Sequence, residues 1–477
     1  MVGSGPNGLA AAVSLARAGY AVRVLEASPE PGGGIRTAPG PLAGFRYDTC
    51  SAVHPLLFTS PFFRAFGIRQ KIHWHIPEIS YAHPLDGESA AIAWRDLDRT
   101  CADLGADGDR WSWLMRPLST RLDDVVRITG DQLLRLPSPV TTAVRLGSRV
   151  AVAGSALGRL FSSEAAAALL AGAMAHANAP LPSLAAAGAG LLLAAHAHGE
   201  DGWGFPHGGS GQIARALIDD LTAHGGVVDT DVHVRSLADL TWGDARRGDL
   251  LVLDTTPRML LSHPDVAGGY ARAIRRYRNG PGVAKVDFAL DGPVPWRDER
   301  VGRAPTVHIG GSAADILASE RAVSDGRIHA RPYVLVVQPS VLDDSRAPEG
   351  HGTLWAYIHV PAGSGVDPTE LITAQIERFA PGFRARIRAA QPMSAAARAG
   401  VNPNDIGGDV LGGAVTLRQL VKRPVVSRTP WRTPLPGVYL ASSSTPPGPG
   451  VTGMPGWRAV RQALRDAGSP VELDDLF

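Results

Sequence analysis

The sequence predicts an α/β protein in which a discontinuous parallel-sheet domain carries an inserted α+β domain. Three observations predict it. A turn with Gly3, Gly5 and Gly8 separates an apolar stub from an Ala-rich helical stretch at 9–18. A short apolar strand at 438–441 runs into a second Gly/Pro-rich loop, 442–453, followed by a helix at about 455–467. Between these ends the hydrophobic pattern switches to helical spacing over 97–200, then to strand-like runs at 283–290, 333–338 and 354–360 without long intervening helices. The first domain is expected from 1–70, 205–260 and 400–477. A helical insertion, 71–204, and an antiparallel-sheet part, 261–399, make the second.

The elements follow in order. Residues 1–2 are the stub of a strand that should sit at a sheet centre, and two residues are few for that position, so a start several residues upstream is expected. The helix at 9–18 stops at Gly19. Residues 20–25 (YAVRVL) read as a buried parallel strand ending at Glu26. Pro137, Pro139, Pro180 and Pro182 punctuate the helical segment. A Gly-rich entry at 208 leads to an amphipathic helix with Ile213, Leu217 and Leu221 on one face, and strands follow at 227–237 and 249–254.

Composition narrows the function. Lys and Arg total 47 against 45 Asp and Glu, a net charge of +2, which leaves no footprint for nucleic acid. Cys50 and Cys101 are too few for a disulfide framework, and no Cys/His cluster or histidine spacing suggests a metal, so no metal is expected and a reduced, cytoplasmic compartment fits. The apolar start lacks the basic region of a signal peptide. The longest apolar runs, 165–175 and 184–195, are too short to span a bilayer, which leaves peripheral membrane contact open. Those runs read either as plain core or as the lining of a lipid-accepting tunnel.

The chemistry starts at the first turn. Gly3 allows the tight turn, Gly5 lets the backbone approach a pyrophosphate, and Gly8 permits helix–strand packing, with Ser4, Pro6 and Asn7 at the helix N-terminus. Glu26, at the end of the next strand, is placed to accept both hydroxyls of an adenosine ribose, with Ala27 beside it. A Rossmann-like domain binding FAD or NAD follows. The loop with Gly32, Gly33, Arg36 and Thr37 favours FAD, which reaches further across the sheet and needs a second close approach of backbone. A further candidate, Gly209, Gly211 and Ala214 with Asp229 and Asp231 downstream, is formally an NAD(P) fingerprint, but it follows Pro206 rather than a buried strand.

These motifs, in this order, resemble the FAD family that includes phytoene desaturases, protoporphyrinogen oxidases and amine oxidases. The segments at 45–55, 203–210 and 445–454 are similar to one branch, the phytoene-desaturase-like flavoproteins often called pyridine nucleotide-disulfide oxidoreductase domain proteins. The resemblance implies a glutathione-reductase-type FAD domain. It places Ser442, Ser443, Gly450, Val451 and Thr452 against the ribityl chain and flavin pyrimidine, and Val234 on the adenine. Two departures stand out: Ser443 replaces an acidic residue, and Gly34 replaces an Arg, leaving Arg36 as the basic group near the phosphates. Cys50 and His54 fall in the segment expected to approach the flavin, as a covalent anchor, a proton relay or packing. Lys285 is one of only three lysines. Period-2 alternation puts it on one strand face with Val283 and Asp287. It resembles the amine-oxidase lysine that holds a water at flavin N5; the alternative is an ion pair with Asp287. The expected activity is FAD-dependent dehydrogenation or desaturation of a largely apolar isoprenoid, acyl or polyketide-like molecule, with Lys285 and His54 as catalytic candidates. Amine-oxidase-type C–N oxidation and a flavin-bound isomerase are the alternatives.

Overall fold

A computed structural model describes residues 1–87, 89–240 and 248–477. Residues 241–247, within the 205–260 segment assigned above to the first domain, lie outside the described residues.

Val2 lies at the middle of a parallel sheet. It bridges Leu25 on one side and Leu253 on the other. Its N–H donates to the Val252 carbonyl at 3.0 Å, and its carbonyl accepts from the Asp254 N–H at 2.8 Å. Arg23–Leu25 pairs onward with Val227–Asp229, and Leu251–Leu253 with Val438–Leu440, all parallel. The order is thus 227–229, 23–25, Val2, 251–253, 438–440, so segments from both chain ends and the middle share one sheet. The strands are shorter than their apolar runs. That expected over 20–25 begins at Arg23, and that expected over 227–237 ends at Asp229, where Asp231 turns to φ 59°.

The helix Pro6–Arg17 starts three residues before its apolar run, because proline in the first turn gives up no needed N–H. It is buried all round from Asn7 to Ala16. The reason is its position between the sheet and the helices Gly211–Ala223 and Met454–Asp466. The last helix crosses so closely that a Cβ on Gly456 would lie 1.9 Å from the Asn7 carbonyl oxygen.

Among the described residues the second sheet has seven strands, in the order 387–393, 282–290, 352–360, 334–337, 306–309, 79–84, 90–94. Neighbours are antiparallel except where Thr306–Ile309 meets Ile79–Pro84 in parallel. The segment 71–204, read as helical, therefore also supplies Ile79–Pro84 and Ala90–Trp94. Every residue of both strands is buried, so no polar alternation marks them in the sequence. Of the two apolar helices, Glu164–Ala175 is buried from Ala166 onward and packs on this sheet, with Leu184–Ala197 beside it. Among the described residues no helix is long and apolar enough to cross a membrane.

Candidate active site

A cavity of about 1130 Å³ begins at the carboxyl ends of the parallel strands and runs to the second sheet. Gly3, Ser4, Gly5, Pro6 and Asn7 form its floor, with Glu26, Ala27 and Val234 at the same end. The Glu26 carboxylate is buried and already engaged: one oxygen accepts from the Ser4 N–H at 2.9 Å and the Ser4 hydroxyl at 2.5 Å, the other from the Ser28 N–H at 2.8 Å. The Ser4 hydroxyl in turn accepts from the Gly32 N–H at 3.1 Å. Glu26 thus fixes the shape of both Gly-rich loops as well as facing the cavity.

Two glycines are needed where those loops cross. Gly33 has φ +53°, and a Cβ there would sit 2.8 Å from the Gly5 Cα. A Cβ on Gly5 would lie 2.7 Å from an oxygen of Asp254. The sequence offered room for a pyrophosphate as the reason for Gly5; the protein's own carboxylate supplies a second one. Asp254 is a residue that motif reading missed. It stands at the end of a central strand, buried beneath the turn, and accepts from the Gly8 N–H at 2.8 Å. Burial pushes its carboxyl up to about 7, against the pull of the Gly8 N–H and with a push from Glu26.

At the other end Ser442, Ser443, Gly450 and Val451 line the cavity. The loop is held by buried Arg423, whose Nε donates to the Ser443 carbonyl at 2.7 Å, and by Asn7 Nδ2 at 3.4 Å from the Ser443 hydroxyl. Arg36 also lines the cavity, its guanidinium turned to the Gly33 and Val401 carbonyls at 3.0 and 2.8 Å. Four residues expected at the cofactor stand behind the lining. Gly8 and Gly32 serve the turns just described. The Thr37 hydroxyl donates to Asp48 at 2.7 Å, and the Thr452 carbonyl accepts from the Ser60 hydroxyl at 2.6 Å.

Lys285 and His54 both line the cavity. The Lys285 ammonium, 3% exposed, lies 2.9 Å from Asp287, donates to the Asp48 carbonyl at 2.7 Å and sits 5.3 Å from the Trp355 ring centre. The ion pair with Asp287 and a place on the cavity wall therefore hold together. The His54 ring meets the Ser210 hydroxyl through Nε2 at 2.9 Å, while Nδ1 has no partner. Burial lowers it to about 4, so the imidazole is neutral. Nearby, Arg398 pairs with Asp405 at 3.0 Å, both buried beside Cys50, and burial lifts Asp405 to about 6 even so. Arg398 was not legible in the sequence, since its burial beside Cys50, nearly 350 residues earlier, comes only with the fold.

At the second fingerprint the place of a phosphate is taken by the protein itself. Asp48 accepts from the Ser210 N–H at 2.8 Å, and the Thr37 hydroxyl from the Gly211 N–H at 2.9 Å. The start of Gly211–Ala223 is thereby capped by a buried carboxylate and a hydroxyl, and no NAD(P) site forms there.

The second domain closes the cavity with apolar surface. Leu184, Ala185, Gly188, Ala189, Leu192 and Leu193 present one continuous helical face to it. Val283, Leu335 and Val337 come from the sheet, followed by Trp355 and Tyr357, whose rings stack 5.7 Å apart. Of the two apolar helices, one is core and the other is cavity wall.

Comparison with known proteins joins these features. The family model for flavin containing amine oxidoreductases matches residues 7–468. The chain belongs to that family. It is a flavin-containing oxidoreductase, and its cofactor is FAD. It is 25% identical over 326 residues to rat (Rattus norvegicus) pyridine nucleotide-disulfide oxidoreductase domain-containing protein 2, covering 58% of this chain and 54% of that one. The chain therefore spans about half the length of that curated relative. It is 34% identical over 134 residues to 4,4'-diapolycopen-4-al dehydrogenase of Metabacillus indicus, a quarter of each chain. Cyclohexylamine oxidase from Brevibacterium oxydans shares the fold, with a TM-score of 0.57, 15% identity and 98% of each chain covered. The residues present in this flavoprotein fit FAD. The loop crossing excludes any side chain, the first turn of Pro6–Arg17 offers the Asn7 N–H, which has no intrahelical partner, and the buried Asn7 Oδ1 is unpaired.

Proposed function

We propose that this flavoprotein dehydrogenates a largely apolar small molecule of isoprenoid, acyl or polyketide-like character. The observation that carries the reading is the helical face from Leu184 to Leu193, which with Val283, Leu335 and Val337 gives the substrate end of the cavity an apolar wall. The partial likeness to a diapolycopene-aldehyde dehydrogenase supports it. FAD supplies the hydride-accepting chemistry. Ser4, Gly5, Asn7 and Glu26 would hold its pyrophosphate and adenosine ribose, with Val234 on the adenine, Arg36 near the phosphates, and Ser442, Ser443, Gly450 and Val451 along the ribityl chain. The apolar wall excludes water and aims a C–H bond across the cavity. Lys285, anchored by Asp287 and the Asp48 carbonyl, holds an ammonium at the cavity wall where it can carry a proton. His54 offers a neutral, unpaired Nδ1.

Anaerobic mixing with isoprenoid and acyl substrates tests this. Bleaching of the visible flavin band is expected; product without net bleaching would point to isomerisation. The Lys285→Met variant is expected to slow one half-reaction by roughly 10²–10⁴-fold, and FAD-replete variant with both rates within about twofold of wild type would refute the role. A second reading, amine oxidation, is favoured by Trp355 and Tyr357, an aromatic pair in the cavity. Peroxide release with amines and no bleaching by apolar substrates would replace the first reading with the second.

A further inference from the structure

The histidine spacing suggests no metal motif, yet the fold gathers His75 and His207 beside Asp343, with His73 next to both rings. Trp74–His75 pairs antiparallel with Phe205–Pro206, which brings residues 75 and 207 to one place. None of the four lines the flavin cavity. His75 Nε2 is 3.2 Å from His207 Nδ1, His207 Nδ1 is 3.1 Å from Asp343 Oδ1, and His75 Nε2 is 4.0 Å from the same oxygen. The circle through three atoms so spaced has a radius of about 2.0 Å, the length of a Zn–N or Zn–O bond.

One hydrogen bond, between His75 Nε2 and His207 Nδ1, joins the trio, and it leaves the 3.1 Å approach of His207 Nδ1 to Asp343 Oδ1 without an account. An imidazole nitrogen has one in-plane lobe, which holds either a proton or a lone pair. His207 Nδ1 has two close partners, and its lobe cannot point at both. A cation at the centre is met by all three atoms at once. The carboxylate is positioned for that. It is buried, and Asp343 Oδ1 is steadied by the Ser345 N–H at 3.2 Å and hydroxyl at 2.6 Å. Oδ2 accepts from the Gly208 N–H at 2.8 Å and lies 3.9 Å from Arg346. That guanidinium also pairs with Asp48 at 2.9 Å, so two carboxylates face one buried cation and the group keeps a net negative charge. The ring of exposed His73 is centred 5.3 Å from that of His75 and 5.2 Å from that of His207, within side-chain reach of the same point.

We propose that His75, His207 and Asp343, with His73 as fourth donor, bind one divalent ion of borderline softness, Zn²⁺ above all. Three imidazoles and a carboxylate suit a closed, tetrahedral structural site, reached from these positions when the 4.0 Å pair draws in to about 3.3 Å and the ion moves out of the donor plane toward His73. The ion would tie the strand Trp74–His75 to the turn at 207–210 and to the turn at 343–346. The turn after His207 carries Ser210, which bonds His54, so the ion would brace the flavin-site wall from behind.

The test uses tag-free, full-length protein, freed of metal with chelator and titrated with Co²⁺. One equivalent is expected to bind with the intense visible bands of tetrahedral Co²⁺, and Zn²⁺ to displace it. His75→Gln and His207→Gln are each expected to weaken binding by more than the roughly 10–100-fold that loss of an outer partner costs. Co²⁺ that does not bind at micromolar concentration overturns the assignment, as does wild-type affinity in both variants. Where circular dichroism shows that a variant has not folded, X-ray absorption of Co²⁺-loaded wild type decides. Scattering from at least two imidazoles is expected, and an all-oxygen environment overturns the site.

Discussion

Replacing Lys285 by Met isolates one buried ion pair. The ammonium is 2.9 Å from Asp287 and 2.7 Å from the Asp48 carbonyl. Burial already raises the Asp287 carboxyl above its ordinary range, and Lys285 is the main group opposing that shift. Methionine keeps most of the side-chain volume, removes the charge and strands Asp287. Breaking a buried pair from one side costs about 3–5 kcal/mol. For a chain of 477 residues the unfolding entropy is about 1 kcal/mol per kelvin, so the melting midpoint should fall by about 3–5 °C at pH 8. The pH dependence has a definite sign. An acid whose folded value is raised binds its proton more tightly in the folded state, so its ionisation weakens the fold as pH rises above the unfolded value. Without Lys285 that effect grows, and the loss should be smaller at pH 5 than at pH 8. The double variant Lys285→Met/Asp287→Leu should recover most of the midpoint. Thermal melts followed by tryptophan fluorescence at both pH values provide the assay. A single variant within about 1 °C of wild type at pH 8, or a double variant no more stable than the single, would refute the reasoning.

Three more outcomes are expected. Glu26→Gln should weaken FAD by about 10–100-fold, or 1.5–3 kcal/mol, because a charged acceptor is lost where Ser4 and the ribose meet; flavin fluorescence titration measures it, and unchanged affinity would count against the site. Gly33→Ala should purify with little flavin, since its Cβ would fall 2.8 Å from Gly5 Cα, whereas Gly34→Ala, with 3.7 Å to Cys50, should keep its flavin by absorbance ratio. Asp254, raised by burial to about 7, withdraws stability from the flavin-free fold as pH climbs from about 4 to 7; Asp254→Asn should remove that slope, and parallel denaturation curves at pH 5 and 8 for variant and wild type would rule it out.

Legibility followed the range of the interactions involved. The turn at Gly3, Gly5 and Gly8 and the loop at Gly32 and Gly33 could be read directly, because positive φ and close backbone approach restrict residue type at the position itself. Lys285 stood out as an ammonium in an apolar strand, and Asp287 two residues away was a visible partner. The strands Ile79–Pro84 and Ala90–Trp94 were hidden because both their faces are buried. The formal fingerprint at 209–214 misled because nothing local shows that Asp48 and Thr37, more than 160 residues earlier, cap that helix.

By itself the sequence determined the α/β class, the parallel-sheet domain built from both chain ends, the two glycine loops and the flavin reading. Each of these rests on backbone constraints and hydrophobic patterns that act within a few residues. Only the tertiary structure decided that Asp254 lies beneath the first turn, that one apolar helix is cavity wall while its neighbour is core, and that two histidines meet Asp343 with a third beside them. These are meetings of side chains distant along the chain, which no local period records. Their energies depend on burial and on partners that exist only once the sheets and helices have packed.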